Sequence, residues 1–170
     1  VDKRFLPYQE APVLVRLSDA SYKLAAMKFS LVPSWSKEPK VKFATHNARI
    51  ETVSEKPTWK IPFIKQHCIV PMSSFFESVY EGPMAGNIIE FSEKKDHLMF
   101  AAGIYDQWVD SETKKASQSF SILTTTPSEF ILHHGHDRTP IFLGPSAVKS
   151  WLDVDQQSDR YWLDFLKNAE

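Results

Sequence analysis

The nine residues HLMFAAGIY, at positions 97–105, form the apolar run from which the fold of this chain can be predicted. A strand at a protein surface alternates apolar with polar residues, whereas a strand covered on both faces is apolar throughout. Residues 119–125, SFSILTT, show the alternation, because Phe120, Ile122 and Thr124 share one face at the two-residue period of a strand. The sequence therefore predicts a central strand at 97–105 that is buried on both faces.

Short elements surround this strand, because eleven prolines and five glycines interrupt the chain. Apolar runs predict further strands at 13–17, 25–32, 68–70, 87–91, 119–125 and 140–143, while residues 40–52 resemble a loop. A capping box at 126–129, TPSE, predicts a helix that ends near residue 133, and other helices are predicted at 57–66, 145–152 and 158–168. Many strands that seldom alternate with long helices indicate a β-rich α+β fold, with residues 1–170 as a single domain.

Composition excludes several classes of protein. The chain has 170 residues, 42% hydrophobic and 24% charged, with a formal net charge of −1, which is unlike a disordered protein. No apolar run approaches the roughly 20 residues needed to cross a bilayer, so no membrane association is expected. The single cysteine cannot form an internal disulfide. We therefore expect a cytoplasmic protein, associated with the nucleoid if the source is bacterial.

The charged residues are unevenly distributed. Residues 21–70 contain nine Lys and Arg against three acidic residues, a charge of +6, while residues 71–170 contain eight basic and fifteen acidic residues, a charge of −7. A basic segment in a nearly neutral protein is typical of a surface that faces phosphate groups. A solvated lysine face has the same composition, so charge leaves both interpretations open.

Two segments place polar residues among apolar ones and are candidates for chemistry. In residues 45–52, THNARIET, Asn47 can donate and accept hydrogen bonds and Arg49 offers a planar fork for phosphate, although a surface loop would look the same. In residues 68–77, CIVPMSSFFE, the aromatics before Glu77 favour a partly desolvated carboxyl with a raised pKa, suited to proton transfer. An ordinary strand-end Glu paired with Lys is the alternative. Cys68 is predicted to be a small buried residue rather than a nucleophile.

A third segment, LHHGHDRTP at 132–140, contains three histidines. A metal site is not expected, because His133 and His134 would face different directions on a helix and no second cluster of ligands exists elsewhere. His136 is a candidate acid or base near neutral pH. The alternative is a structural histidine packed beside Asp137.

Together these segments resemble one known family. The colinear motifs are FSLVPSW at 29–35, NARIET at 47–52, EKP at 55–57, CIVP at 68–71, FFE at 75–77, AGIY at 102–105, ILTT at 122–125, HDRTP at 136–140 and WL at 151–152. Their order and spacing are similar to those of the SRAP family, the SOS-response-associated peptidases. The resemblance is strongest over residues 27–152.

The resemblance implies a fold and an activity. The fold is a barrel-like antiparallel or mixed sheet with flanking helices. The activity is recognition of abasic sites in single-stranded DNA during the DNA damage response. A cysteine exposed by removal of the initiator Met condenses its thiol and amine with the opened sugar and forms a thiazolidine DNA–protein crosslink. The same cysteine is held responsible for autoproteolysis, so the implied enzyme is lyase- and peptidase-like and uses no cofactor.

The resemblance also assigns roles to six residues. Asn47 matches an Asn that orients the nucleophile and the sugar, Glu77 matches an acid or base beside the reacting amine, and His136 matches a His that assists opening of the sugar ring. Arg49 and Arg138 match arginines that contact phosphate. Trp35 matches an aromatic on which a base or sugar stacks.

The chain departs from the family at its start, where Val1-Asp-Lys-Arg-Phe5 stands in place of Cys-Gly-Arg-Phe. We expect the reactive cysteine to lie outside the given residues, and we expect a monomer whose partner is single-stranded DNA with abasic sites. The first alternative is a non-catalytic module that binds single-stranded or damaged DNA. The second is a thiol peptidase that acts on other proteins.

Overall fold

The computed structural model describes residues 3–80, 82–93, 97–154 and 157–169. The strands in this part of the chain are β1 Glu10–Arg16, β2 Tyr22–Phe29, β3 Asn47–Arg49, β4 His67–Met72, β5 Ser74–Ser78, β6 Ile88–Ser92, β7 Met99–Val109, β8 Ala116–Thr125 and β9 Thr139–Pro140. The helices are α1 Lys60–Lys65, α2 Glu129–His133, α3 Pro145–Leu152 and α4 Asp159–Lys167. This composition confirms the predicted β-rich α+β class.

Five strands close into a barrel. The order β2-β1-β4-β7-β8 is antiparallel throughout, and a parallel contact between β2 and β8 joins its two ends through the pairs Lys28↔Ser119 and Phe29↔Phe120. Closure removes the sheet edges that an open five-stranded sheet would expose. Beyond Phe29, β3 replaces β2 as the parallel neighbour of β8. The barrel-like mixed sheet expected from the family resemblance is therefore present.

Small and branched side chains fill the inside of the barrel. The buried residues of this cluster are Ala11, Val13, Val15, Met27, Cys68, Val70, Ala101, Phe120 and Ile122. Gly103 lies opposite Cys68 in the β4–β7 pairing, and a Cβ at Gly103 would come 2.8 Å from the Cys68 sulfur. A larger residue at position 103 would force the buried Cys68 side chain to shift, so glycine lets these two strands approach closely.

A second core covers the outside of the same strands. Ile69, Ala102, Ile104 and Leu123 point outward from the barrel and pack with Trp151 of α3 and with residues of α1 and α4. The Trp151 indole N–H donates to the carbonyl of Cys68 at 3.0 Å. From Met99 to Tyr105 the predicted central strand is thus covered on both faces, because β7 alternates between the inner and outer cores. The strand begins at Met99 rather than at residue 97, and Leu98 is exposed.

A separate hairpin, β5–β6, extends from β4 beside the barrel. Its aromatics hold it in place, since the rings of Phe75 and Phe91 stack with centroids 5.2 Å apart and Phe75 lies 5.5 Å from Phe142. The register places Glu77 opposite Ile89. The hairpin therefore carries Glu77 at a rigid position near the barrel.

The structure corrects four local predictions. The second strand ends at Phe29 rather than at residue 32, because Ser30 has a φ of 132° and leaves the extended conformation. Strand β3 lies within 40–52, predicted as a loop, because it has three residues and its partner β8 is 75 residues away. Strand β5, which forms a hairpin with β6, was not predicted. The predicted capping box is wrong, since Ser128 and not Thr126 is the N-cap of α2. The strand predicted at 140–143 is reduced to β9 and one bridge at Phe142.

The last two helices agree with the sequence prediction. α3 has Pro145 in its first turn, and α4 begins after Ser158, whose side chain accepts a hydrogen bond from the Tyr161 N–H at 3.2 Å. Within the described ranges, every helix is too short or too polar to span a membrane.

Candidate active site

A carboxylate–histidine pair, in which the histidine is buried and the carboxylate is half-buried, is the central feature of the site. Glu77 lies on β5 and His136 lies in the loop between α2 and β9, 59 residues later in the sequence. The Nε2 atom of His136 lies 3.0 Å from a carboxyl oxygen of Glu77, and the exposed fractions of the two side chains are 7% and 18%. Proximity and burial are the two conditions under which such a pair exchanges protons.

Hydrogen bonding determines where the proton of this pair resides. The Nδ1 atom of His136 lies 3.0 Å from the carbonyl oxygen of Ser78, and because a carbonyl only accepts, we assign the proton to Nδ1. The contact between Nε2 and Glu77 then holds one further proton, which sits on the imidazole or on the carboxyl. Burial raises the pKa of Glu77, Asp137 adds to the rise, and His136 opposes it. The pair is therefore arranged to pass a proton between the carboxyl and the imidazole.

The backbone after α2 sets the position of His136. Gly135 has a φ of 79°, in the left-handed region that glycine adopts at helix ends, and its N–H donates to the carbonyl of Leu132 at 2.9 Å. The carbonyl of Gly135 accepts from the Tyr80 N–H at 3.2 Å, and the Tyr80 ring lies 5.6 Å from the His136 ring. The end of the helix and the end of β5 thus hold the imidazole from both sides.

Strand β3 presents the two predicted polar residues to solvent. Asn47 and Arg49 are exposed, while Ala48 between them is buried in the outer core. Asn47 pairs with Ile122, which faces the barrel interior, so Asn47 and Arg49 lie on that same face of the sheet beyond the filled barrel. Arg49 makes no ion pair with any described residue. Both side chains are free to contact a ligand.

Arg138 has partners of its own. Its guanidinium forms two hydrogen bonds with Glu51, at 2.8 and 2.9 Å, and a third to the carbonyl of Thr124 at 2.7 Å. The hydrogen bond from Arg138 is the main reason that the pKa of Glu51 is lowered. The sequence assigned no role to Glu51, because 87 residues separate it from Arg138 and no local pattern joins them. The prediction that Arg138 contacts phosphate stays a prediction.

Trp35 is 58% exposed and lies on a turn that is hydrogen-bonded to barrel strand β7. The Ser34 N–H donates to Asp106 at 2.7 Å, and the Trp108 indole donates to the carbonyl of Ser36 at 2.8 Å. The Trp35 indole itself donates to the carbonyl of Pro57 at 3.3 Å. A large apolar ring held in solvent by such contacts can stack on a base, as the sequence predicts.

The fold brings the other predicted residues to one end of β8. Thr124 of β8 pairs with Arg49 of β3 on one side and with Pro140 of β9 on the other. Two strand spacings, roughly 10 Å, therefore separate β3 from β9. Arg138 and its neighbour His136 immediately precede β9, and Glu77 joins the group through His136.

The single cysteine is a structural residue. Cys68 is fully buried inside the barrel, and burial raises the pKa of its thiol, so the prediction of a small buried residue is confirmed. Among the described residues, no three His, Cys, Asp or Glu side chains are grouped so that they could hold a metal ion. The site is made of proton donors, proton acceptors and one free guanidinium.

A closed five-stranded barrel, a Glu–His pair beside it and an exposed Asn–Arg strand at one end characterise this domain. Comparison with known families names this domain. The SOS response associated peptidase (SRAP) family matches residues 3–170, and the chain belongs to that family.

Individual proteins resemble the chain over most of its length. Abasic site processing protein YoqW of Bacillus subtilis (strain 168) is 31% identical over 164 residues, which are 94% of this chain and 72% of YoqW. Abasic site processing protein YoaM of the same organism is 31% identical over 158 residues, 91% of this chain and 69% of YoaM. A crystal structure of a protein from Bacteroides thetaiotaomicron matches with a TM-score of 0.76 at 28% identity, covering 94% of this chain and 68% of that one.

Proposed function

We propose that this protein processes abasic sites in single-stranded DNA and captures the opened sugar covalently. The observation that carries this proposal is the Glu77–His136 pair with its single shared proton, beside the exposed Asn47 and Arg49. The names of YoqW and YoaM support the choice of abasic DNA as the ligand. The basic charge of residues 21–70, which include Asn47 and Arg49, supports a phosphate-bearing ligand.

The pair supplies the proton transfers that an abasic sugar requires. Ring opening removes the proton of the C1′ hydroxyl and adds a proton to the ring oxygen, which leaves an aldehyde. A histidine that exchanges one proton with a carboxyl can carry out both transfers. When it accepts the hydroxyl proton it becomes the acid that the ring oxygen needs, and when it donates that proton it becomes a base again. We assign ring opening to His136 and proton transfer at the reacting amine to Glu77. The Asn47 amide orients the sugar and Arg49 holds an adjacent phosphate.

The covalent step joins an amine and a thiol to the aldehyde. The amine adds to the aldehyde carbon and loses one water to form an imine, and the thiol then adds across the C=N bond to close a thiazolidine ring. The nucleophile in this proposal is the N-terminal cysteine that the family resemblance implies. In autoproteolysis the same thiol would attack the carbonyl carbon of the preceding peptide bond, and Glu77 would protonate the amide nitrogen as the C–N bond breaks. Water would then hydrolyse the resulting thioester, which releases the preceding segment as a carboxylic acid and restores the thiol. The thiol of Cys68 has no part in either step, since it is fully buried.

An intact-mass measurement tests the proposal. The protein, made from its full reading frame, is mixed with single-stranded DNA that contains one abasic site. The expected product has the mass of protein plus DNA less one water and survives heating. A strand with tetrahydrofuran in place of the sugar is the matched control, because it has no aldehyde to capture.

The absence of an adduct with the abasic strand would contradict covalent capture. If such a protein nevertheless bound abasic single strands more tightly than intact ones, the alternative of a non-catalytic DNA-binding module would replace the proposal. Equal binding of abasic, intact and duplex DNA would exclude both.

A further inference from the structure

A cavity of about 240 Å³ lies at the seam of the barrel and has no part in the proton-transferring pair. Its lining includes Tyr8, Lys28, Ser30, Lys40 and Thr45. Backbone hydrogen bonds build it, since the Tyr8 N–H donates to the carbonyl of Phe29 and the Leu31 N–H donates to the carbonyl of Thr45 at 3.3 Å. The cavity is therefore a fixed part of the fold at the point where β2 leaves β8.

Ser30 is unusual in two respects. Its φ of 132° lies in the region that favours glycine, so a serine is strained there. Its side chain is almost completely buried, with 2% of the residue exposed, and its hydroxyl has no hydrogen-bond partner among the described atoms. A buried hydroxyl without a partner is unfavourable, and strain at the same residue adds to the cost. Both costs are accounted for if the hydroxyl binds a ligand in the cavity.

Two lysines give the cavity a positive charge. Neither Lys28 nor Lys40 forms an ion pair with a residue in the described ranges. The Lys40 ammonium lies 4.5 Å from the centre of the Tyr8 ring, which holds the cation at the cavity. Both lysines belong to the segment of residues 21–70 with a charge of +6. Cations, a free hydroxyl and an aromatic ring are the groups that contact one nucleotide of a single strand.

The cavity lies close to the candidate active site. Thr45 lines the cavity and Asn47 begins β3, two residues further along the chain, so at most roughly 7 Å separates their backbones. Lys28 follows Met27 of the inner core and points to the outer face of the barrel, whereas Asn47 lies on the inner face. A strand whose sugar lies at Asn47 would reach the cavity by crossing the end of the barrel wall between them.

We propose that this cavity binds one phosphodiester group of the DNA strand, next to the abasic nucleotide. Lys28 and Lys40 neutralise the phosphate, the Ser30 hydroxyl donates to a phosphate oxygen, and the Tyr8 ring packs against the adjoining sugar or base. This assignment rests on the proposed function, which it extends from the reacting sugar to a neighbouring subsite.

Replacement of single phosphates tests the assignment. The probes are single strands with a tetrahydrofuran abasic analogue in which one linkage at a time is an uncharged methylphosphonate. At one linkage near the analogue, the wild-type protein should lose about 3- to 10-fold in affinity. The Lys28→Ala/Lys40→Ala variant should bind the unmodified strand about as weakly as the wild type binds the strand with the neutral linkage. Its affinity should not fall further when that linkage is made neutral. The slope of log K against log salt should become shallower by about 0.7.

The matched control is Lys149→Ala/Lys167→Ala, which removes the same charge from the helices and should keep the wild-type sensitivity to that linkage. Equal affinity, slope and linkage sensitivity in the wild type and Lys28→Ala/Lys40→Ala would overturn the assignment. So would a wild-type protein that is stabilised by inorganic phosphate but insensitive to every linkage, because the cavity would then bind a free anion.

Ser30→Gly separates ligand binding from folding. Glycine relieves the strain and removes the unpartnered hydroxyl, so the Tm should rise by about 2–4 °C while affinity for the strand falls at least about 3-fold. A higher Tm with unchanged affinity would remove Ser30 from the phosphate site. Failure of the proposed function has a different signature, which is equal wild-type affinity for abasic-analogue and intact strands.

Discussion

At the scale of single residues, the proposed chemistry depends on the one proton that Glu77 and His136 share. The Ser78 carbonyl determines the tautomer of His136, and burial raises the pKa of Glu77. The protonation of both residues is therefore set by the groups around them. Each group needs the other within hydrogen-bond distance. Replacing either one should therefore affect proton transfer more than DNA binding.

Glu77→Gln tests this statement. The amide keeps the size of the side chain and can still donate to His136, but it cannot exchange a proton. We expect the rate of adduct formation to fall by about 10²- to 10⁴-fold, with DNA affinity changed by less than about 3-fold. Single-turnover crosslinking and fluorescence anisotropy measure the two quantities. Glu90→Gln, on the partner strand of the same hairpin, is the control; a Glu77→Gln rate equal to it would exclude Glu77 from the mechanism.

At the scale of secondary-structure elements, short strands are held in place by partners that are far away in sequence. Strand β9 has two residues, and β3 has three. Neither could persist by its own ladder of hydrogen bonds. The ion pair between Arg138, just before β9, and Glu51, just after β3, ties the two strands together across β8. We infer that this pair sets the distance between His136 and Asn47.

A double-mutant cycle on Glu51→Gln and Arg138→Met measures the coupling free energy of the Glu51–Arg138 ion pair. The bidentate geometry and the low exposure of Arg138, 15%, should give a coupling free energy of about 1 kcal/mol. The Asp164–Lys167 pair on α4 is the control; its atoms lie 3.7 Å apart at 63% and 69% exposure, and it should contribute less than about 0.5 kcal/mol. Additive effects of the two substitutions in urea unfolding would contradict the coupling.

At the scale of the whole molecule, the barrel wall separates two cores. The inner core contains Cys68 and Phe120, and the outer core joins the barrel to α1, α3 and α4. His67 belongs to the outer core, where its ring stacks on Trp151 at 3.6 Å. Both ring nitrogens lie 2.8 Å from carbonyl oxygens, of Phe63 and Trp151, so a neutral ring can donate to only one of them. Burial nevertheless outweighs both contacts and lowers the pKa of His67 to about 4.

The stability of the whole fold should therefore depend on pH below neutrality. The native His67 stays neutral down to a pKa of about 4, whereas in the unfolded chain its imidazole takes up a proton near the ordinary histidine pKa of 6.5. The free energy of unfolding contributed by His67 is present above pH 6.5 and decreases as the pH falls towards 4, by roughly 3 kcal/mol in all.

Urea unfolding between pH 7.5 and 5 checks this expectation. The wild type should lose about 2 kcal/mol relative to His67→Gln over that range. A wild type that gains stability relative to the variant would mean that the two carbonyls hold a charged ring. NMR titration of the His67 ring nitrogens gives the same answer without a variant.

The sequence by itself determined the composition of the fold and supplied the candidate site residues, which stay predictions. Apolar runs and alternation are local properties, so they predicted the central strand at 97–105, the helices at the C-terminal end and the buried Cys68. The motifs carried the resemblance to the SRAP family. That family is confirmed, although the roles of Asn47, Glu77 and His136 stay predictions.

Only the tertiary structure decided which residues meet. The parallel closure of β2 on β8, the Glu77–His136 pair and the Glu51–Arg138 pair join residues 59 to about 90 positions apart. No local pattern encodes such partners, because strand register and barrel closure are set by packing over the whole chain. For the same reason the strained, unpartnered Ser30 became visible only when the fold placed it at the barrel seam.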